Sequence, residues 1–250
     1  MSIKWSSPDV LPPLGDDEVQ VWRIERDGAP ARIDRYASLL STDEQDDAKR
    51  LRIGQVRDNF TIGRACLRIL LGNASGTDSS AISITTGPHG KPETSAVDGH
   101  QISFNIAHSK DTVLIALSRQ GAIGVDVEFL DRSTDIMEVA RGNFTENESN
   151  SLEAIANPEA RLKAFYRLWT RKEAIGKADG RGLLLPMASY DVSSDSMDLQ
   201  PVRVKESLDN HANLYFVSDL DLGDNAVGAL AMASAKSRIV RLAFPLQSSL

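Results

Sequence analysis

Asp126 and Glu128 stand two residues apart in Gly124-Val125-Asp126-Val127-Glu128. In a strand, residues two apart face the same way, so both carboxylates would project onto one face while Val125 and Val127 pack inward. Two adjacent carboxylates repel and need a cation between them. Magnesium suits that need, because it takes oxygen ligands and combines one or two carboxylates with substrate phosphates. The solvated face of an amphipathic strand is the other reading of the same pattern. Further along, Trp169, Glu173 and Lys177 recur every fourth residue and would lie along one helix face. Glu173 would offer a third carboxylate to a metal, and Lys177 a cation to a phosphate. An ordinary Glu–Lys helix pair, worth about 0.2–0.5 kcal/mol, fits the spacing as well.

Three other segments carry candidate chemistry. Phe104-Asn105-Ile106-Ala107-His108-Ser109-Lys110 lies where one strand ends and before the next begins, a common place for a histidine and a serine to face a ligand. A turn histidine without a ligand is the alternative. Gly87-Pro88-His89-Gly90-Lys91-Pro92 reads as a rigid turn with Lys91 at its edge, suited to meet a phosphate as a point charge. The stretch from Lys49 to Arg68 holds Lys49, Arg50, Arg52, Arg57, Arg64 and Arg68 against the one acid Asp58. Arg57, Arg64 and Arg68 share a helix face there. The segment would grip a phosphate, dock an acidic partner, or form a solvated charged face. Cys66, the single cysteine, sits in an apolar run and reads as a small core residue rather than a nucleophile. There is no Walker loop, no nucleotide-binding G-x-G-x-x-G after a strand, no G-x-S-x-G elbow and no paired Cys/His zinc spacing.

The elements that must position these residues follow from periodicity. Residues 19–24 read as a first strand, Ser41 with Glu44 as a capping box for a short helix, and 56–71 as a longer helix ended by Gly72-Asn73. Strands are expected at 81–85, across Ile102, Phe104 and Ile106, and at 112–118. The order then recurs. A strand over 123–129 precedes a helix capped by Thr145 and Glu148, a strong helix over 158–178, and strands near 190–192, 214–217, 226–233 and 239–244. No residue-level repeat accompanies the recurring order. The expectation is an α+β protein of two halves joined near Gly121, residues 1–121 and 122–250.

Composition narrows the class. With 250 residues, 41% hydrophobic and 25% charged, the chain can bury a substantial core. A formal net charge of −7 argues against broad nucleic-acid binding. Apolar runs such as Val113 to Leu117 are far below the roughly 20 residues that span a bilayer. The first residues show no stretch of signal-peptide length, so no membrane association and a cytosolic location are expected.

The order and spacing of the segments are more specific than any one of them. Gly90-Lys91-Pro92, then Phe104 to Ser109, then Gly124 to Glu128, then Phe165-Tyr166-x-x-Trp169-Thr170-x-Lys172-Glu173-Ala174-x-x-Lys177-x-x-Gly180-x-Gly182-Leu183 closely resemble the four motif blocks of the Sfp-type 4′-phosphopantetheinyl transferases. The resemblance runs from about Ser41 to Leu183. It implies a pseudo-dimer of two similar α+β halves with coenzyme A in the cleft between them. It implies transfer of 4′-phosphopantetheine from coenzyme A to a serine of an acyl or peptidyl carrier protein, by a monomer. Asp126, Glu128 and Glu173 match the magnesium-binding acids. Lys91 with Pro92, and Asn105, His108 and Ser109, match the segments that hold coenzyme A, Lys91 and His108 at its phosphates. Lys177 matches the lysine at the phosphate near the reacting centre. Glu173, or a water on the metal, would take the serine proton. Two departures stand out. Ala107 replaces the family's usual serine before the histidine. The region matching basic residues that grip the 3′-phosphate is acidic, Asp43 to Asp47, so that contact passes to Arg50, Arg57 or Arg64, or is missing. A coenzyme A binder without chemistry and a magnesium-dependent coenzyme A hydrolase are the competing functions.

Overall fold

A computed structural model describes residues 4–26, 30–87, 90–94, 101–204 and 213–246. The chain forms two compact units. One holds Ile3–Gln120 together with Ser237–Leu250; the other holds Gly121–Lys236.

The first unit begins with β1 (Glu18–Glu25), α1 (Pro30–Ala37), α2 (Thr42–Arg50) and α3 (Gly54–Ser75). A short hairpin, β2 (Ile84–Thr86) and β3 (Pro92–Thr94), precedes β4 (Ser103–Ser109) and β5 (Thr112–Ser118). β5 pairs antiparallel with both β1 and β4. α3 covers one face of that sheet: Ile62, Ala65, Cys66, Leu67 and Leu70 share a core with Trp22, Ile24, Phe104, Val113 and Ile115. Cys66 is fully buried there, and burial pushes its thiol far above the reactive range. α3 does not stop at Gly72-Asn73, the end expected from sequence. It runs to Ser75 and is capped by Gly76 in the left-handed conformation, φ +68°. Gly72 is needed for a different reason, since a Cβ there would lie 2.7 Å from the Thr77 carbonyl oxygen.

The second unit repeats the opening order: β6 (Ile123–Phe129), α4 (Ile136–Asn143), α5 (Glu146–Ala154) and α6 (Pro158–Asp179). Three antiparallel strands follow, β7 (Gln200–Val204), β8 (Asn213–Asp221) and β9 (Ala226–Met232), giving a sheet of order β6-β9-β8-β7. α6 lies against this sheet, and Phe144, Phe165 and Trp169 stack between α6 and the end of α4. The expected strand at 190–192 is instead a loop. Its backbone groups are taken by side chains: Lys172 holds the Tyr190 carbonyl, Arg171 the Val192 carbonyl, and Glu148 the Val192 N–H.

The last strand, β10 (Arg238–Ala243), adds parallel to β1 and completes the first sheet in the order β10-β1-β5-β4. The chain therefore passes between units near Gly121 and again near Ser237, whereas the expected division keeps all of 122–250 in one half. The edge of β1 is what β10 covers, a pairing of residues more than 200 apart that periodicity does not report. Helices α1 and α4 and strands β3 and β7 are also additions to the elements expected from sequence. Among the described residues no helix is long and apolar enough to cross a membrane.

The two units share a correspondence between the helices that follow their first strands. The boxes Ser41–Glu44 and Thr145–Glu148 cap helices of 9 residues, and each is followed by a helix of 22 residues. Each long helix ends at a left-handed glycine, Gly76 or Gly180. Both capping glutamates are buried and bind a cation from the long helix, Glu44 to Arg68 and Glu148 to Lys172.

Candidate active site

β6 and α6 meet backbone to backbone. A Cβ on Gly124 would lie 2.1 Å from the Ala174 carbonyl oxygen and 2.5 Å from the Ala178 nitrogen. Glycine is what lets the strand approach the helix this closely. Asp126 and Glu128 follow on the same face of β6, directed toward the helix. Asp126 is 5% exposed and Glu128 is half-buried, so the face is not a solvated one. The opposite face is also buried, with Ile123, Val125 and Val127 at 0–1% exposure.

From α6 come Glu173 and Lys177, one turn apart. The Lys177 ammonium donates to Asp126 Oδ1 at 2.7 Å and to the Val125 carbonyl at 3.3 Å. Burial pushes the Glu173 carboxyl above the ordinary glutamate range, and the neighbouring Asp126 carboxylate pushes it the same way, against a smaller pull from Lys177. Two carboxylates and an ammonium thus share one half-buried place.

Whether this place suits a divalent cation can be judged from its donors. Among the described residues no group of three or more His, Cys, Asp and Glu side chains closes around a common point. Asp126 and Glu173 nevertheless repel one another, and the ion beside Asp126 is the monovalent ammonium of Lys177. The donors are carboxylate oxygens alone, the set a hard divalent cation takes. They fit the group.

Lys172, beside Glu173 in sequence, points the other way. It is fully buried and donates to Glu148 Oε2 at 2.8 Å, to the Met187 carbonyl at 2.7 Å and to the Tyr190 carbonyl at 2.8 Å. Tyr190 returns a hydrogen bond to the Lys172 carbonyl. Burial lowers the proton affinity of this lysine, and Glu148 opposes that shift. Arg171 and Arg167 both bind Asp219 on β8 and the carbonyls of the 192–196 loop. These three cations hold residues 187–196 to α6.

The remaining candidates lie in the first unit. His108 is exposed and belongs to β4 rather than to a loop, paired with Val113. Ser109 is the last residue of that strand, and Asn105 is buried within it. Lys91 is half-buried beside Pro92, which opens β3; the Gly87 N–H donates to the Lys91 carbonyl at 2.8 Å, closing the turn. Pro88 and His89 of that turn lie outside the described residues. The basic stretch is largely neutralised. Lys49 pairs with Asp46, Arg50 with Asp47, and both Arg68 and Arg64 with Glu44, at 2.7 and 3.6 Å. Arg64 is mostly buried and lies over the Phe60 ring, and burial lowers its proton affinity. Arg57 is half-exposed, 3.8 Å from Asp58.

Residues 122–230, which include β6, α6 and the acids, match the model of the 4′-phosphopantetheinyl transferase superfamily. The transferase HetI of Nostoc sp. (strain PCC 7120) is 30% identical over 223 residues, covering 88% of this chain and 90% of that protein. This chain belongs to the 4′-phosphopantetheinyl transferase family. Another transferase, from Bacillus subtilis, is 30% identical over 169 residues, 68% of this chain and 73% of its own. The transferase AcpT of Salmonella typhi is 42% identical over 94 residues, 38% of this chain and 47% of its own. The family assignment agrees with the four motif blocks, and this transferase-family chain carries the acids in its second unit alone: Trp22 and Ile24 occupy the equivalent places on β1.

Two residues beside the first-unit candidates are not singled out by sequence patterns. Asn59 and Lys110 meet beside His108 through a hydrogen bond from α3 to the β4–β5 turn. The turn is legible in Ser109-Lys110-Asp111-Thr112 between apolar strands; Asn59 gives no signal.

Proposed function

We propose that this protein transfers the 4′-phosphopantetheine group of coenzyme A to a serine of an acyl or peptidyl carrier protein, converting the apo to the holo carrier. The observation that carries the reading is the crossing of β6 and α6 at Gly124, which brings Asp126, Glu173 and Lys177 together in a chain of this family.

Asp126, Glu128 and Glu173 would hold a magnesium ion. When bound, the ion supplies positive charge to the pyrophosphate of coenzyme A. The protein's own groups do the rest. Lys177, placed at the same point, stabilises charge growing on the β-phosphate as the serine Oγ attacks it. A new Oγ–phosphorus bond forms, the phosphoanhydride bond breaks, and 3′,5′-ADP leaves with the bond's electron pair. Glu173, or a water on the metal, would take the serine proton. Lys91 and His108 would hold phosphates of coenzyme A, with Pro92, Asn105 and Ser109 beside them. Arg57 suits the 3′-phosphate better than Arg50 or Arg64, because those two are paired to acids at shorter distance or buried. A cytosolic monomer completes the proposal, and the single buried thiol is compatible with a reducing compartment.

Intact-protein mass spectrometry tests the reading. Apo carrier proteins are incubated with this protein, coenzyme A and magnesium. A carrier should gain one phosphopantetheine with metal present, and no gain should occur with chelator or with Asp126→Ala. Coenzyme A cleaved without a carrier would make the protein a hydrolase. Coenzyme A bound but never transferred, on any carrier, would make it a binder.

A further inference from the structure

Ser109 pairs with Thr112, so β4 and β5 are joined by a turn of two residues, Lys110 and Asp111. Lys110 has φ +48°, and among the described residues it is the one non-glycine residue with positive φ. Lysine lacks the short polar side chain with which asparagine eases that conformation, and it has the Cβ that glycine is spared. A second cost lies against it. Asn59 of α3 is 4% exposed, and its Oδ1 is buried without a hydrogen-bond partner. Its Nδ2 donates to the Lys110 carbonyl at 2.5 Å. Two unfavourable local choices thus meet in one hydrogen bond, immediately after His108 and Ser109. Strain that persists in this way is held by its surroundings and marks a place where position matters.

The surroundings are on the same helix face. Gln55, one turn before Asn59, donates to Asp111 Oδ1 at 3.2 Å. Arg26, after β1, binds the Asp111 carboxylate and donates its backbone N–H to the Asp111 carbonyl at 2.8 Å. Gly63, one turn after Asn59, lets α3 press on the hairpin: a Cβ there would lie 2.9 Å from Ile106 Cδ1. We infer that Asn59 is a positioning residue for coenzyme A, fixing the left-handed Lys110 turn and through it the place of His108 and Ser109 at the end of β4. The inference rests on the reading of His108 as a group that holds a phosphate of coenzyme A.

The test is steady-state transfer by Asn59→Leu, which keeps the branched shape, removes the donor and removes the unsatisfied oxygen. KM for coenzyme A should rise about tenfold with kcat within twofold, the signature of a displaced binding group. Amide hydrogen exchange of the Ser109–Thr112 turn should quicken, with the β1 and β5 amides unchanged. Adding Lys110→Gly, which adopts the turn without help, should bring KM back toward wild type. Asn59→Ala should behave as Asn59→Leu does. His108→Ala alone should raise the same KM, and adding it to Asn59→Leu should cost little more. If His108→Ala raises KM and neither Asn59 variant does, the positioning role is wrong and the reading of His108 stands. If His108→Ala leaves KM unchanged, the reading of His108 is itself overturned, and the inference with it.

Discussion

Arg68 and Lys172 occupy the same position of two 22-residue helices, 104 residues apart in the chain, and each closes on the glutamate of the capping box before its helix. In both, a glutamate begins by capping a short helix and ends by neutralising a buried cation. The pairing is structural in each unit. It separates the lysine of the Trp169–Lys177 motif that supports the fold from the one that faces the acids.

Removing one member of such a buried pair leaves the other charged and without its partner. Lys172→Met should destabilise the protein by about 3–5 kcal/mol. Chemical denaturation of the double variant Lys172→Met/Glu148→Gln should show much less than the sum of the two single losses. Additive losses would mean that the two side chains do not act as a unit.

Gly124→Ala tests the crossing that builds the site. The added methyl group cannot enter at 2.1 Å from a carbonyl oxygen without moving β6 from α6. A loss of about 3 kcal/mol in stability is expected, at the upper end for an overpacked core. Transfer should fall further than stability explains, because Asp126 and Lys177 are carried by the two elements that separate. A variant with wild-type melting and turnover would show that the contact is unimportant.

Glu173 gives a pH dependence with a definite sign. Its folded proton affinity is raised, so its contribution favours folding below the ordinary glutamate range and is lost as pH rises through the raised value. Glu173→Gln removes that loss. Without metal, the variant should melt higher than wild type at neutral pH, and the difference should vanish in acid. Magnesium should raise the melting temperature of wild type and not of the variant, and the metal's effect should weaken as pH falls toward the raised value, because proton and metal compete. A variant that melts lower at neutral pH would contradict the strained carboxylate.

Asp126→Asn keeps the shape and one acceptor for Lys177 while removing the charge. Transfer should fall by at least about 10²–10³-fold, the scale of losing one electrostatic contact in a transition state. Circular dichroism and melting should stay close to wild type. Retained turnover at ordinary magnesium would remove Asp126 from the metal proposal.

Much of the molecule is legible in its sequence. The α+β class, the long helices, most strands and the Gly124–Glu128 and Trp169–Lys177 motifs follow from local rules: alternation in strands, i to i+4 spacing in helices, and capping boxes. The misses have physical causes. Residues 190–192 look like a strand, yet Lys172, Arg171 and Glu148 satisfy their backbone groups from elsewhere. Gly72 looks like a helix stop, yet it marks a close approach inside α3. The basic run from Lys49 to Arg68 reads equally as an anion grip or a solvated face, and which of its cations are paired to acids on α2 depends on how that helix packs.

By itself the sequence determined which residues carry charge and which faces of which elements they occupy, because the periods of helix and strand are properties of the backbone. Only the tertiary structure decided which charges meet. Asp126 and Lys177 are 51 residues apart, and their contact exists because a glycine lets a strand and a helix touch. Asn59 and Lys110, also 51 apart, meet because α3 lies along a hairpin whose turn is strained. Neither distance is written in a local pattern. Both are set by how closely two backbones pack, which depends on every side chain between them.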